Sequence, residues 1–291
     1  MKNLKWPILI VLSLIWGSSF ILMKRGLEAF SSSQVAALRI MLAYLFLLPF
    51  LLKYYRINLR KYWFGLLGMG VFGNLIPAFL FTKAETGISS SLTGMLNALT
   101  PIFTVIIGLF AFGNKTNRLQ MLGIVTGFAG ALLLAYGNGD EKNTNINNAW
   151  YVVGATVCYA ISVNMIKKYL GDVGSLRATV WAFMFTGPLA TVYLFSTDFM
   201  EVLNRHPQAL GSVGYIAILG IVGSALAVIA FNELIKLSGP VFASTTTYLI
   251  PIVAVCWGVY DKERITWMQI MAVVVILAGI WLINFRQRSR R

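Results

Sequence analysis

The residues able to do chemistry are few, and they stand inside apolar runs. Thr93, Asn97, Thr100 and Thr104 recur at i, i+4, i+7 and i+11, which puts them on one helical face. Ser244, Tyr248 and Pro251 follow a similar spacing later in the chain. Such a stripe either lines a polar cavity or bonds back onto its own helix and glues helices together. Asn97 is the strongest member, because an amide satisfies itself less readily than a hydroxyl. Asn74 with Pro77, and Ser162 with Asn164, are weaker examples. Pro101 and Pro251 each lack an N–H, so the carbonyls of Asn97 and Thr247 lose their helical donor. In hydrocarbon those carbonyls need a side chain, water or a ligand. Two readings stand: paired kinks that present polar backbone at a binding site, or packing kinks satisfied by nearby Ser and Thr.

Aromatic residues offer walls for a flat or aliphatic molecule. Trp16, Phe20, Phe79, Tyr159, Tyr248 and Trp257 are the candidates, with Ser19 beside the first pair, and lipid-facing positions are the alternative. Charged residues near the ends of apolar runs are Lys24, Arg39, Lys83, Glu85, Glu233 and Lys236. Lysines there usually snorkel toward water. Glu233 has a shorter reach, so it either faces the interior or pairs with Lys236, and it is the first candidate for a proton or cation site. Lys83 and Arg39 join it as candidates for ion binding or gating. The single histidine, His206, has no second ligand beside it, and Cys158 and Cys256 lie within apolar runs. No zinc site, catalytic triad or cofactor is expected. No GxxxxGK[ST] run occurs, which excludes a self-contained ATP-driven pump.

The elements that must carry these residues follow from hydropathy. The chain has 291 residues, 58% hydrophobic and 12% charged. Soluble domains run at about 45–50% apolar and about 25% charged, so a large soluble domain is excluded. Charge-free stretches at 6–23, 62–82, 86–114, 119–139, 143–166, 178–197, 207–232, 237–260 and 265–285 are each long enough to cross a bilayer. A tenth, about 33–52, is interrupted by Arg39, which must sit in the first turns, snorkel or face a wet interior. The stretch 6–23 lacks a clear cleavage site and reads as a retained first helix. The expected fold is an all-α membrane protein of ten transmembrane helices. The polar run GNGDEKNTNINN divides it into a first five-helix repeat, 1–137, a connection, 138–148, and a second repeat, 149–291.

The net charge of +14 would suggest nucleic acid in a soluble protein, but the basic residues lie in short connections, so no nucleic-acid partner is expected. With the N-terminus inside, 16 Lys and Arg fall on the inner side and 7 on the outer, which puts both termini in the cytoplasm. A shift of 150 superposes Gly70 on Gly220, Gly73 on Gly223, Phe81 on Phe231 and Pro101 on Pro251. After a one-residue slip, Gln120 meets Gln269. Trp16 and Ser19 align with Tyr159 and Ser162 near the start of each half. Five spans per half is odd, so the repeats insert in opposite senses, a common build for secondary transporters with a midplane site. Gly123, Gly127 and Gly130 form a small-residue face suited to close packing, open to a homodimer.

WGSSF at 16–20, LR at 38–39, SSSLTGMLNALTPIFTVIIG at 89–108 and PVFASTTTYLIPIVAVCWG at 240–258 resemble the EamA-type permeases of the drug/metabolite transporter superfamily. The resemblance covers essentially the whole chain. It implies export of small metabolites, often amino acids or related compounds, through a cavity built by helices 1, 3, 4, 6, 8 and 9, with 5 and 10 as scaffold. It also implies a Glu six residues before the Gln that opens helices 5 and 10. Glu263 fits, whereas the first half carries Asn114. The expected role is an alternating-access exporter in the bacterial inner membrane, its partners a small-molecule substrate and the bilayer. The alternatives are a multidrug or cation extruder, which would favour a midplane carboxylate, a non-transporting scaffold or receptor, and an intramembrane enzyme, against which the lack of a catalytic constellation weighs.

Overall fold

A computed structural model describes residues 4–113, 117–136, 145–238, 243 and 246–285. The described residues are helical, with no strand among them. Seven helices are long and apolar enough to cross a membrane, and three apolar helices are shorter. We label them α1 (Lys5–Gly26), α2 (Ser32–Tyr54), α3 (Leu59–Ala84), α4 (Ser90–Phe112), α5 (Arg118–Tyr136), α6 (Ala149–Tyr169), α7 (Ser175–Phe195), α8 (Ala209–Ser238), α9 (Thr246–Tyr260) and α10 (Trp267–Phe285). A short helix, Phe199–Arg205, joins α7 to α8. Asn114, Ser244 and most of the 138–148 connection lie outside the described residues.

The helix starts are written in the sequence. Ser31 and Gln34 cap α2 reciprocally: Ser31 Oγ accepts from the Gln34 N–H and Gln34 Oε1 from the Ser31 N–H. Gln120 and Gln269 do the same for α5 and α10, paired with Asn117 and Thr266. Each box satisfies two donors that a helix start leaves open. The two glutamines that coincide in the repeat alignment are therefore matched caps.

Helices of the two halves pack crosswise. α1 lies on α9 and α8, α6 on α4 and α3, α2 on α7, and α5 on α10. The last pair shows why glycine recurs there. A Cβ on Gly279 would stand 2.6 Å from both the Gly123 carbonyl oxygen and the Gly127 nitrogen. The face of Gly123, Gly127 and Gly130 is thus covered within the chain, by α10 at Gly123 and Gly130 and by Ile102 of α4 at Gly127, and is not free for a second copy.

Three helices are not regular. α3 widens to a π-helical stretch at Val71–Leu75, and α8 does so at Leu219–Leu226. Asn74 Nδ2 donates to the Met69 carbonyl five residues back, and Ser224 Oγ donates to the Leu219 carbonyl, also five back. The two sites coincide under the 150-residue shift. α4, expected as one kinked helix, is broken between Asn97 and Thr100. Pro101 starts the second segment, where its missing N–H costs nothing. Substituting Gly279→Leu should lower the midpoint of thermal unfolding in detergent by about 5 °C or more, since backbone must move. Gly211→Ala, which meets open space, should leave it unchanged.

Candidate functional site

A cavity of about 120 Å³ lies between the halves. Its wall draws on α1, α3, α4, α6, α8 and α9, and also on α2 through Arg39 and Ile40. α5 and α10 contribute nothing to it among the described residues. Of the residues singled out from sequence, Trp16, Ser19, Phe20, Arg39, Asn74, Asn97, Thr100, Tyr159 and Ser162 come together there. Trp16 Nε1 donates to the Gly223 carbonyl at 3.0 Å, which ties α1 to the π-helical stretch of α8. Its ring meets Phe231 edge to face at 5.0 Å. Phe81 bridges Phe20 and Tyr159, with centroids at 5.8 and 5.7 Å. The result is an aromatic wall interrupted by amides and hydroxyls.

Other candidates stand elsewhere. Phe79 faces Tyr193 on α7. Tyr248 turns away, its hydroxyl donating to the Ile280 carbonyl of α10. Trp257 is exposed and donates to Ser18. Pro101 and Pro251 are buried behind the wall. The Asn97 carbonyl that Pro101 deprives of a donor accepts from Thr100 Oγ1 at 2.8 Å, so local side-chain repair prevails over exposure to a ligand. Thr93 and Thr104 likewise bond back four residues. Lys83 is exposed, and so is Glu233, which accepts from Ser175 at 3.0 Å. Lys236 donates to the Val173 carbonyl rather than to Glu233. Glu233 is exposed in the last turns of α8 and does not line the cavity.

Sequence reasoning missed Ser224, Phe231 and Asn232. Two of them had a signal, since the shift of 150 pairs Phe81 with Phe231 and Asn74 with Ser224. Asn232 has no polar lining counterpart. It donates to Thr179 at 3.1 Å, while its Oδ1 is buried without a hydrogen-bond partner among the described residues.

The two ends of the cavity differ. At one end Glu263, in the connection between α9 and α10, sits on the N-terminus of α4. It accepts from Lys24 at 2.8 Å, the Ser90 hydroxyl at 2.7 Å, and the Ser90 and Ser91 N–H groups at 3.2 and 3.0 Å. Open N–H groups at a helix start favour an anion there. Lys24 also pairs with Asp261 at 2.5 Å, and Arg25 pairs with Asp261 and Glu28. Glu85 lies in the same region, both carboxyl oxygens buried and without a hydrogen bond among the described residues. At the opposite end Asp172 takes bonds from Lys61 and Tyr62, all three at the surface. Exposed pairs of that kind contribute little. A second cavity, about 180 Å³, opens beside this weaker end and shares Ile166 and Asn232 with the first.

Burial pushes the Glu263 carboxyl up, but the Lys24, Ser91 and Ser90 hydrogen bonds outweigh it and hold it down at about 2. A depressed carboxyl contributes stability above its unfolded value, about 4.3, and loses it as pH falls through the folded value. Glu263→Gln should therefore lower the unfolding midpoint at pH 7 by several degrees. The gap from wild type should narrow below about pH 4 and vanish near pH 2, read by thermal unfolding across that range.

Comparison with known proteins agrees with this architecture. The EamA-like transporter family matches the chain twice, over residues 4–136 and 148–285. The inner membrane transporter YedA of Escherichia coli K12 is 29% identical, over 94% of this chain and 90% of its own. A probable amino-acid metabolite efflux pump of Salmonella typhimurium is 25% identical, over 95% and 93%. A protein crystal structure superposes over 100% of both chains with a TM-score of 0.66 at 13% identity, which speaks for the fold alone. With apolar helices long enough to span a bilayer and a family match across both halves, the chain is a multi-pass membrane protein that belongs to the EamA-like transporter family.

Proposed function

We propose that the protein exports small metabolites, amino acids or related compounds, across the inner membrane by alternating access. Ten spans form two inverted five-helix repeats, 1–137 and 149–291, with both termini in the cytoplasm and the 138–148 connection outside. The crosswise packing of the halves, the matched π-helical stretches and the matched glutamine caps support the repeat. The names of the Escherichia coli and Salmonella relatives support inner-membrane export.

One observation carries the reading: the polar and aromatic cavity is closed by a half-buried ion cluster at one end and weakly bounded at the other. In the proposed orientation the cluster of Lys24, Asp261 and Glu263 faces the outside. The chain described here is then closed outward, and the second cavity beside Ile166 and Asn232 is the cytoplasmic approach. Export requires the cluster to part while the inner end closes. The π-helical stretches place deformable backbone beside the cavity, where a wider turn costs least.

Purified protein in liposomes loaded with a labelled amino-acid and metabolite pool should release at least one component faster than protein-free liposomes. Phe231→Ala and Asn97→Ala should slow that release about tenfold without loss of folded protein. Phe79→Leu, which faces α7, should stay within about twofold. Release unchanged by the cavity variants would remove the site from the transport path.

A further inference from the structure

We propose that Arg39 is the cavity's anion-recognising residue, and that the preferred cargo is an apolar monocarboxylate without a free ammonium group. The inference rests on reading the cavity as the transport site, and within the small metabolites proposed above it favours related acids over the amino acids themselves.

Arg39 is 8% exposed, yet no carboxylate lies within salt-bridge distance of it among the described residues. Nε donates to Ser224 Oγ at 2.7 Å and Nη1 contacts Met23 Sδ at 3.8 Å, both neutral. Nη2 meets no protein acceptor among them. A guanidinium stays protonated in any protein environment. A buried charge of that kind is costly unless something of opposite sign meets it. Glu85 is near enough to act electrostatically, but its oxygens form no bond to Arg39 and do not line the cavity. The open position is therefore left for an anion in the cavity, and the planar fork of Arg matches a carboxylate in two hydrogen bonds.

The rest of the wall fixes the remaining chemistry. Trp16, Phe20, Phe81, Tyr159 and Phe231 supply aromatic surface for the body of the molecule. Among the described residues no Asp or Glu lines the cavity. An ammonium would find only amides, hydroxyls and ring faces there, beside a fixed cation that repels it. A zwitterionic amino acid is thus disfavoured against the corresponding acid, and a cation more strongly. A monoanion also moves outward with an inside-negative potential, so its export needs no coupled ion.

The test uses four matched probes: 3-phenylpropionate, 3-phenylpropionamide, phenylalanine and phenethylamine. With purified wild-type protein, binding by calorimetry should favour the acid over the amide by about tenfold or more, with phenylalanine weaker than the acid and phenethylamine weakest. In liposomes, efflux of the acid should accelerate when a potassium gradient with valinomycin imposes an inside-negative potential. Arg39→Gln should bind acid and amide equally, and Arg39→Lys should recover part of the preference. A purely structural Arg39 would change the affinity for all four together. Preference for phenethylamine or phenylalanine, or an acid preference kept by folded Arg39→Gln, would overturn the inference and leave the transport reading standing. Absence of binding and efflux for all four also counts against it. The metabolite-pool release described above then judges the transport reading separately.

Discussion

Hydrocarbon offers no hydrogen-bond partner, and nearly every feature of this chain follows from that. Backbone is kept in helices wherever lipid is the neighbour. The departures, the π-helical stretches of α3 and α8 and the break in α4, occur where the interior is polar. At each, a side chain satisfies the displaced carbonyl: Asn74 for Met69, Ser224 for Leu219, and Thr100 for Asn97. The same constraint explains the glycines. Helices that gain nothing from excluding water from each other approach through close van der Waals contact, as Gly123 and Gly279 allow.

Within that frame, charge decides which end is held. Glu263 is drawn to a helix N-terminus and an ammonium at once, and both interactions join α4 to the connection after α9 and to the end of α1. Breaking the cluster would leave half-buried carboxylates unpaired, whereas parting Lys61 from Asp172 returns both to water. The two ends therefore differ in the cost of opening, although the helices around them are arranged alike. A gap between crosswise-packed halves, tied at one end, is what the proposed alternating access asks of a resting state.

Much of this was legible in the residues. Charge-free stretches located the helices, because a single Lys or Arg in lipid is expensive enough to mark an end. The repeat was readable through Gly, Pro and Gln, whose backbone and capping roles resist apolar drift. The wall members Trp16, Ser19, Tyr159 and Ser162 followed from their symmetric placement, and Asn97 from its amide. What the sequence left open was azimuth. Phe79 and Tyr248 sit on helices that do line the cavity, but on faces turned to α7 and α10. Whether Glu233 faces the interior or pairs with Lys236 stayed open because its distance from the helix end could not be judged to within one turn; in the structure it accepts from Ser175 instead. Arg39 broke an apolar run, and its place in the wall depends on where Ser224 of α8 arrives, a contact 185 residues away.

The most direct measurement of the central claim is accessibility of the cavity wall from each side of the membrane. Cys158 and Cys256 would be replaced by Ala, Ser162 by Cys, and a membrane-impermeant maleimide applied to right-side-out and inside-out vesicles. The account predicts labelling from the cytoplasmic face alone, with labelling from the outer face appearing once Glu263→Gln loosens the cluster. Labelling from neither face, or from the outer face alone while the cluster is intact, would contradict it.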